Sequence, residues 1–260
     1  MADLRSVVTI AATPRTGSNL VCRALEATGL FGTPSEYLLP EWLAQGIEAW
    51  GVPTPTALGR ISQWYRRMRG DRMWRATRRL HADSVRRYLH RTARDRVGAS
   101  GTFCWKVMWY HYSLFGLDRA AEATRWGVPT RWIRIRRDDR LRQAVSLARA
   151  FETQQWLACQ PVSREAEYDS ALIARCEAMI TAHEAGWDDY FARRGVEPLC
   201  VTYEMLAKDH DATIRRILAF LGEGGVAAPP PQLQRQADTL TEEWVARYRR
   251  ERGDVPEKVG

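Results

Sequence analysis

The sequence predicts an α/β protein, a mostly parallel central sheet with helices on both faces, and three observations carry that reading. Short apolar runs rich in β-branched and aromatic residues recur at 7–12, 102–109, 131–135 and 198–203. Between them lie segments with helical spacing of apolar residues, long enough to cross over from one parallel strand to the next. The first run also passes through a tight polar turn straight into an amphipathic helix, the strand-turn-helix unit of such sheets.

A chain of 260 residues with 45% hydrophobic content can bury a proper core, and it is read as a single domain over 1–260. The apolar run at 7–12 is too short for a signal peptide, and no stretch is long enough to span a membrane, so the expected location is cytoplasmic. Cys22, Cys104, Cys159, Cys176 and Cys200 are odd in number and form no CxxC pair, which predicts reduced, buried, inert thiols. The net charge of +8 is confined to one place: residues 60–96 hold 13 Arg against 3 Asp. Its arginines alternate with Trp64, Tyr65, Met68, Trp74, Leu80, Val85, Tyr88 and Leu89 at three- and four-residue steps, the pattern of a solvated amphipathic helix face. No DNA or RNA module accompanies it, so no nucleic-acid partner is expected.

Taken in order, the strand at 7–12 stops before Pro14, and Leu20, Val21, Ala24 and Leu25 mark a helix that ends at Gly29. Residues 37–100 are expected to be largely helical and to lie on the acceptor side. Helices follow at about 139–158, 167–194 and 210–222, then a Gly/Pro-rich break over 222–231 and a charged C-terminal segment over 232–252 with Trp244 and Tyr248.

The turn between the first strand and helix holds Arg15, Thr16, Gly17, Ser18 and Asn19. Backbone N–H groups left unpaired at a helix N-terminus attract anions, and a glycine lets a phosphate approach them closely. A nucleotide-triphosphatase loop would read GxxxxGK[ST], and this turn lacks both the first Gly and the Lys, so it is P-loop-like without the features that serve a metal-bound triphosphate. No carboxylate cluster with metal spacing appears, and no metal is expected. Lys106 stands out separately. The chain has 36 Arg and only 3 Lys, yet one lysine sits inside the apolar strand FCWKVMW, where it could meet charge developing on a leaving oxygen.

A second cluster, RWIRIRRDDRLRQAVSLARA, ends a strand in Arg136 and Arg137 and places Ser146 two turns into the next helix. Together with TPRTGSN, GTPSEYL, WKVMW and RQADTLTEEWVARYRR, in that order along the chain, it resembles the bacterial trehalose 2-sulfotransferase family, the Stf-zero type. The resemblance runs nearly end to end, weakest over 60–96.

The resemblance implies transfer of a sulfuryl group from 3′-phosphoadenylyl sulfate to a hydroxyl of a carbohydrate, glycolipid or small metabolite. Arg15, Thr16, Gly17, Ser18 and Asn19 match the 5′-phosphosulfate loop, with Asn19 where the family commonly has Thr. Arg137 and Ser146 match the 3′-phosphate pair; Asp138 replaces the Pro that often follows the arginine, and Arg136 is the neighbouring alternative. Arg235 and Gln236 match a C-terminal segment that closes over the nucleotide, and Tyr203 falls beside the adenine. Arg15, Lys106 and Glu36 are the implied catalytic residues, Glu36 as the general base. Many sulfotransferases carry a His two residues after the Lys, but that position is Met108 here; His111, five residues on, would face the opposite way if the strand continued. Thr33, Ser35, Tyr37 and Trp109 are the expected acceptor neighbours. The trehalose enzyme has Gln before the loop Arg and a Glu-Pro-Gln-Glu-Phe-Phe context for its base, whereas this chain has Pro14 and Thr33-Pro34-Ser35-Glu36-Tyr37-Leu38, so several sugar-binding groups differ. Members of that family can pair into dimers, and a homodimer is compatible with the resemblance. Two rival readings make different demands: a P-loop kinase requires ATP with Mg²⁺, and a nucleic-acid module centred on 60–96 requires steeply salt-dependent binding.

Overall fold

The computed structural model describes residues 3–39, 82–119, 126–156, 165–231 and 239–253. Residues 60–81 of the Arg-rich stretch, Cys159, Arg235 and Gln236 lie outside the described residues. The expected strands form as β1 (Ser6–Ala12), β2 (Thr102–Met108), β3 (Thr130–Arg136) and β4 (Leu199–Thr202). They make one parallel sheet in the order β2-β1-β3-β4, with Ile10 of β1 level with Lys106 on one side and Ile133 on the other.

Helix α1 (Ser18–Ala27) follows β1, and α2 (Ala82–Asp95) precedes β2. After β2 comes α3 (Trp109–Leu114), after β3 come α4 (Arg140–Thr153) and α5 (Ser170–Arg194), and after β4 come α6 (Tyr203–Lys208), α7 (His210–Leu221) and α8 (Thr239–Arg252). Strand alternation sorts the core into two faces. Val8, Ile10 and Ala12 join Cys104, Met108, Ile133 and Ile135 under α1 and α7. Val7 and Ala11 join Phe103, Trp105, Val107 and Trp132 under α2, α3 and α5, a face dominated by aromatic side chains such as Tyr88, Tyr112, Trp187 and Phe191. A third cluster binds α4, α5 and α8 through Val145, Ile180 and Trp244.

Two features of this scaffold set up the site. Strand β2 ends the sheet order, yet all its residues are buried, because the segment after α1 runs along its open edge. Ser35 bridges to Trp105 there, and its carbonyl accepts the Lys106 N–H at 2.9 Å, so backbone groups that would otherwise be exposed at an edge are paired. The second feature departs from expectation: the strand stops at Met108 and the chain turns directly into α3, so His111 does not lie on strand alternation. The Trp109 ring that opens α3 packs edge-on to Trp187 at 5.1 Å and occupies the space that a Cβ at Gly186 would need.

Helix ends follow ordinary capping. Asp139, Asp169 and Asp209 accept from the backbone N–H groups of Arg142, Leu172 and Ala212, and Gly195 and Gly222 close their helices in the left-handed region. α4 stops at Thr153, earlier than the apolar spacing suggests, because Gln154 turns left-handed at φ 58°. Cys22, Cys104 and Cys176 are buried as expected, but Cys200 is exposed: β4 is an edge strand, and the side chain facing inward there is that of Val201. Among the described residues no helix is long and apolar enough to cross a membrane.

Candidate active site

The candidate residues collect at the carboxyl ends of the four strands, where open parallel sheets bind ligands. The turn after β1 is tightly specified. Thr16 donates to the Thr13 carbonyl at 2.9 Å, and Arg15 and Gly17 both take positive φ, 64° and 77°. Gly17 meets that demand without strain and also leaves room for Tyr203, whose ring would lie 2.8 Å from a Cβ there. Arg15, with a Cβ, is held left-handed by its surroundings, a condition that concentrates at functional turns.

Beside the turn, Arg15 Nε donates to Ser146 Oγ at 2.9 Å and its Nη1 to the Trp156 carbonyl at 2.8 Å. The loop arginine and the helix serine, 131 positions apart, are therefore in contact. Arg137 lies over the Tyr203 ring at 4.5 Å and donates to the Arg15 carbonyl at 3.5 Å, while its Nε is buried with no hydrogen-bond partner. Burial lowers the pKa values of both arginines, and at Arg15 the charges of Arg137 and Arg149 lower it further. Cations crowded into a partly desolvated corner, next to a helix N-terminus, make an environment that an anion would relieve. Arg136 takes no part in this corner; strand alternation directs it to Glu184, at 3.3 Å. Asp138 is exposed.

On the other side of α1, Lys106 Nζ donates to Asn19 Oδ1 at 2.8 Å and pairs with Glu36 Oε2 at 3.2 Å. Glu36 Oε1 lies 3.0 Å from His111 Nδ1. One lysine amine thus joins the turn after β1 to the carboxylate carried by the segment along β2. Burial alone would raise the Glu36 carboxyl, but Lys106 and then His111 outweigh it and bring the value down to about 2. Because the folded value lies below the ordinary 4.5, the stability that this group contributes is complete above about pH 4.5 and is lost as pH falls toward 2. At about 1.4 kcal/mol per unit, the contribution is on the order of 3 kcal/mol. Urea unfolding of wild type and Glu36→Gln across that range is expected to show the extra acid loss in wild type alone.

Sequence reasoning set His111 aside and passed over a buried support beneath the turn. Glu184 of α5 accepts from Thr13 Oγ1 at 2.7 Å and from Arg134 Nη2 at 2.6 Å. Gln143 donates to Thr13 Oγ1 at 3.0 Å and to the Pro14 carbonyl at 2.7 Å, so α4 and α5 together fix the residues that enter the turn. Arg134 is 1% exposed and lies over the rings of Trp187 and Phe191. Breaking a buried pair strands the remaining charge, so Glu184→Ala is expected to cost about 3–5 kcal/mol in urea unfolding. The signal for this support was present, an Arg within an apolar strand and a Glu within a helix, but nothing local pairs them.

Of the expected acceptor neighbours, Ser35 is used through its backbone against β2, as described above. Tyr37 is 3% exposed, packs on Phe103 of β2, and its hydroxyl donates to the Thr33 carbonyl at 2.5 Å. Trp109 is partly buried against Trp187. The region C-terminal to 238 is tied to the arginine corner, since Arg142 of α4 makes a two-pronged pair with Glu242 of α8 at 2.8 and 2.7 Å. Among the described residues no group of three or more His, Cys, Asp or Glu could hold a metal ion.

A first strand that runs through such a turn into a helix, with Arg15, Asn19, Lys106, Arg137 and Tyr203 toward the carboxyl edge of a parallel sheet, places the protein among the P-loop-like α/β enzymes. Known sequences narrow the class. The family model described as Stf0 sulphotransferase matches residues 7–251, and the chain belongs to that family of sulfate-transferring enzymes. It is 30% identical to a trehalose 2-sulfotransferase of Mycolicibacterium smegmatis, over 96% of this chain and 97% of the relative. It is 28% identical to a trehalose 2-sulfotransferase of Mycobacterium tuberculosis, over 93% and 94%. Among solved structures, a sulfotransferase domain from the Synechococcus PCC 7002 olefin synthase matches with TM-score 0.46 and 16% identity, covering 98% of each chain.

Proposed function

We propose that the protein moves a sulfuryl group from 3′-phosphoadenylyl sulfate to a hydroxyl of a carbohydrate, glycolipid or small metabolite. The observation that carries this reading is the bridge at Lys106, which ties Asn19 of the anion-binding turn to Glu36. Donor and acceptor chemistry would meet at that amine.

Arg15, Thr16, Gly17, Ser18 and Asn19 would hold the 5′-phosphosulfate with the N-terminus of α1, and Arg137 and Ser146 the 3′-phosphate. Tyr203 lies next to Gly17 and Arg137 and would flank the nucleotide held there. Arg235 and Gln236 would close over the nucleotide, as the family resemblance implies. The acceptor oxygen attacks sulfur in line as the bond from sulfur to the bridging phosphate oxygen breaks. The departing electron pair stays on that oxygen, where Lys106 balances the charge. The products are a sulfate ester and 3′-phosphoadenosine 5′-phosphate. Glu36 and the imidazole bonded to it form the base on the acceptor side. A sulfuryl group carries less charge than a terminal phosphoryl, so positioning and fixed cations suffice without Mg²⁺.

Two relatives are named for trehalose, which makes trehalose the first acceptor to try. Calorimetric titration with 3′-phosphoadenosine 5′-phosphate, against ATP with Mg²⁺, tests the donor assignment. The first should bind, and binding should survive Glu36→Gln. Binding of ATP with Mg²⁺ alone would overturn the reading in favour of a kinase.

A further inference from the structure

Resting on the sulfotransferase reading, we infer that the acceptor's proton goes to His111 Nε2, with Glu36 acting as the carboxylate that orients and charge-balances the imidazole. The family resemblance gives the proton to Glu36 itself. The geometry favours the dyad for three reasons.

Both Glu36 oxygens are already engaged, Oε1 with His111 Nδ1 at 3.0 Å and Oε2 with Lys106 Nζ at 3.2 Å. A carboxylate shared between those two groups, and held low against its burial chiefly by the Lys106 charge, is a weak proton acceptor near neutral pH but a good partner for a cation. A carboxylate facing Nδ1 also selects the tautomer. Nδ1 must carry the hydrogen to donate it, which leaves the lone pair on Nε2, the arrangement by which a buried carboxylate sets up an imidazole base. Among the described residues His111 Nε2 makes no hydrogen bond. His183 Nδ1 is sealed and unpartnered.

The surroundings suit an imidazole that must gain and lose a charge. His111 is 8% exposed and is gripped by the short helix α3, whose Tyr110 ring stands edge-on to it at 4.8 Å. Among the described residues, the groups around it are Tyr110 from its own helix, Glu36 from the segment along β2, Lys106 beyond Glu36 on β2, and His183 from α5. Burial, then the proximity of His111, holds His183 down to about 4, so it stays neutral and adds no competing positive charge at neutral pH. In the step itself the acceptor O–H bond breaks as its oxygen bonds to sulfur, and the proton moves to Nε2. The resulting imidazolium is balanced by Glu36 and returns the proton to water once the products leave.

Two measurements decide it. In protein with ¹⁵N-labelled histidine, the neutral His111 imidazole should show a hydrogen on Nδ1 and none on Nε2, and Glu36→Gln should erase that preference; the opposite tautomer in wild type would overturn the dyad. Kinetics should use ³⁵S-labelled 3′-phosphoadenylyl sulfate with trehalose as acceptor, and with water as acceptor, read as sulfate release. His111→Gln is expected to lower kcat by about 10²- to 10⁴-fold, remove the acid limb of the pH profile, and leave the affinity for 3′-phosphoadenosine 5′-phosphate within about threefold. Added imidazole should restore part of the rate to His111→Ala. A His111→Gln enzyme that keeps its rate and acid limb, while Glu36→Gln loses both, would return the proton to Glu36. If wild type failed to bind 3′-phosphoadenosine 5′-phosphate at all, the donor assignment would fall instead, and the tautomer measurement would still report on the dyad.

Discussion

Lys106→Ala is expected to reduce kcat by about 10²- to 10³-fold, the scale seen when one preorganised stabiliser of developing charge is removed. The side chain is 6% exposed, and it is directed by strand alternation from β2 onto the face that carries α1. Its amine is therefore fixed before any substrate arrives, held by Asn19 at 2.8 Å and by Glu36 at 3.2 Å. Removal has a second effect of definite sign. Lys106 is the leading cause that offsets burial at Glu36, so in Lys106→Ala the Glu36 carboxyl should rise from about 2. Lys106→Arg should not restore the rate, because a planar fork needs a different cavity from a compact ammonium. Single-turnover assays with the donor in excess separate this loss from any change in donor binding. A variant with wild-type single-turnover rate would remove Lys106 from the chemistry.

Arg137→Ala should weaken binding of 3′-phosphoadenosine 5′-phosphate by roughly 30- to 1,000-fold, equivalent to about 2–4 kcal/mol, the range for charge-assisted bonds in a desolvated site. Its Nε is buried without a partner, and its guanidinium is braced on the Tyr203 ring at 4.5 Å, so the group is positioned and under-satisfied together. Arg136→Ala is the matched control: its side chain points to Glu184, and it should affect stability more than affinity. Calorimetry of both variants checks the assignment, and equal losses from the two would show that the strand-end arginines are not divided as their contacts indicate. The affinity that remains in Arg137→Ala should fall further on Ser146→Ala, since Ser146 is bonded to Arg15 in the same corner.

The four strands and the turn at Arg15–Asn19 were legible in the sequence for a physical reason. Continuous apolar β-branched runs, Gly at a helix entrance and Asp or Gly at helix ends act through neighbouring residues, so a short window contains the whole cause. Lys106 could be noticed as a charge in an apolar strand of an arginine-rich chain. Glu36 became a candidate only through its resemblance to a family, because nothing in GTPSEYL states where that loop lies.

The tertiary structure decided the rest. In WKVMWYHYSL no Gly, Pro or capping side chain marks the boundary, and the Met108 cap position makes no side-chain hydrogen bond, so the change from strand to helix is set by Trp109 packing against Gly186 and Trp187. That turn carries His111 to Glu36, across 75 positions. Glu184 meets Thr13 across 171 positions. Pairings of this kind depend on where two elements dock, and docking is a property of the packed core, which no local run of residues contains.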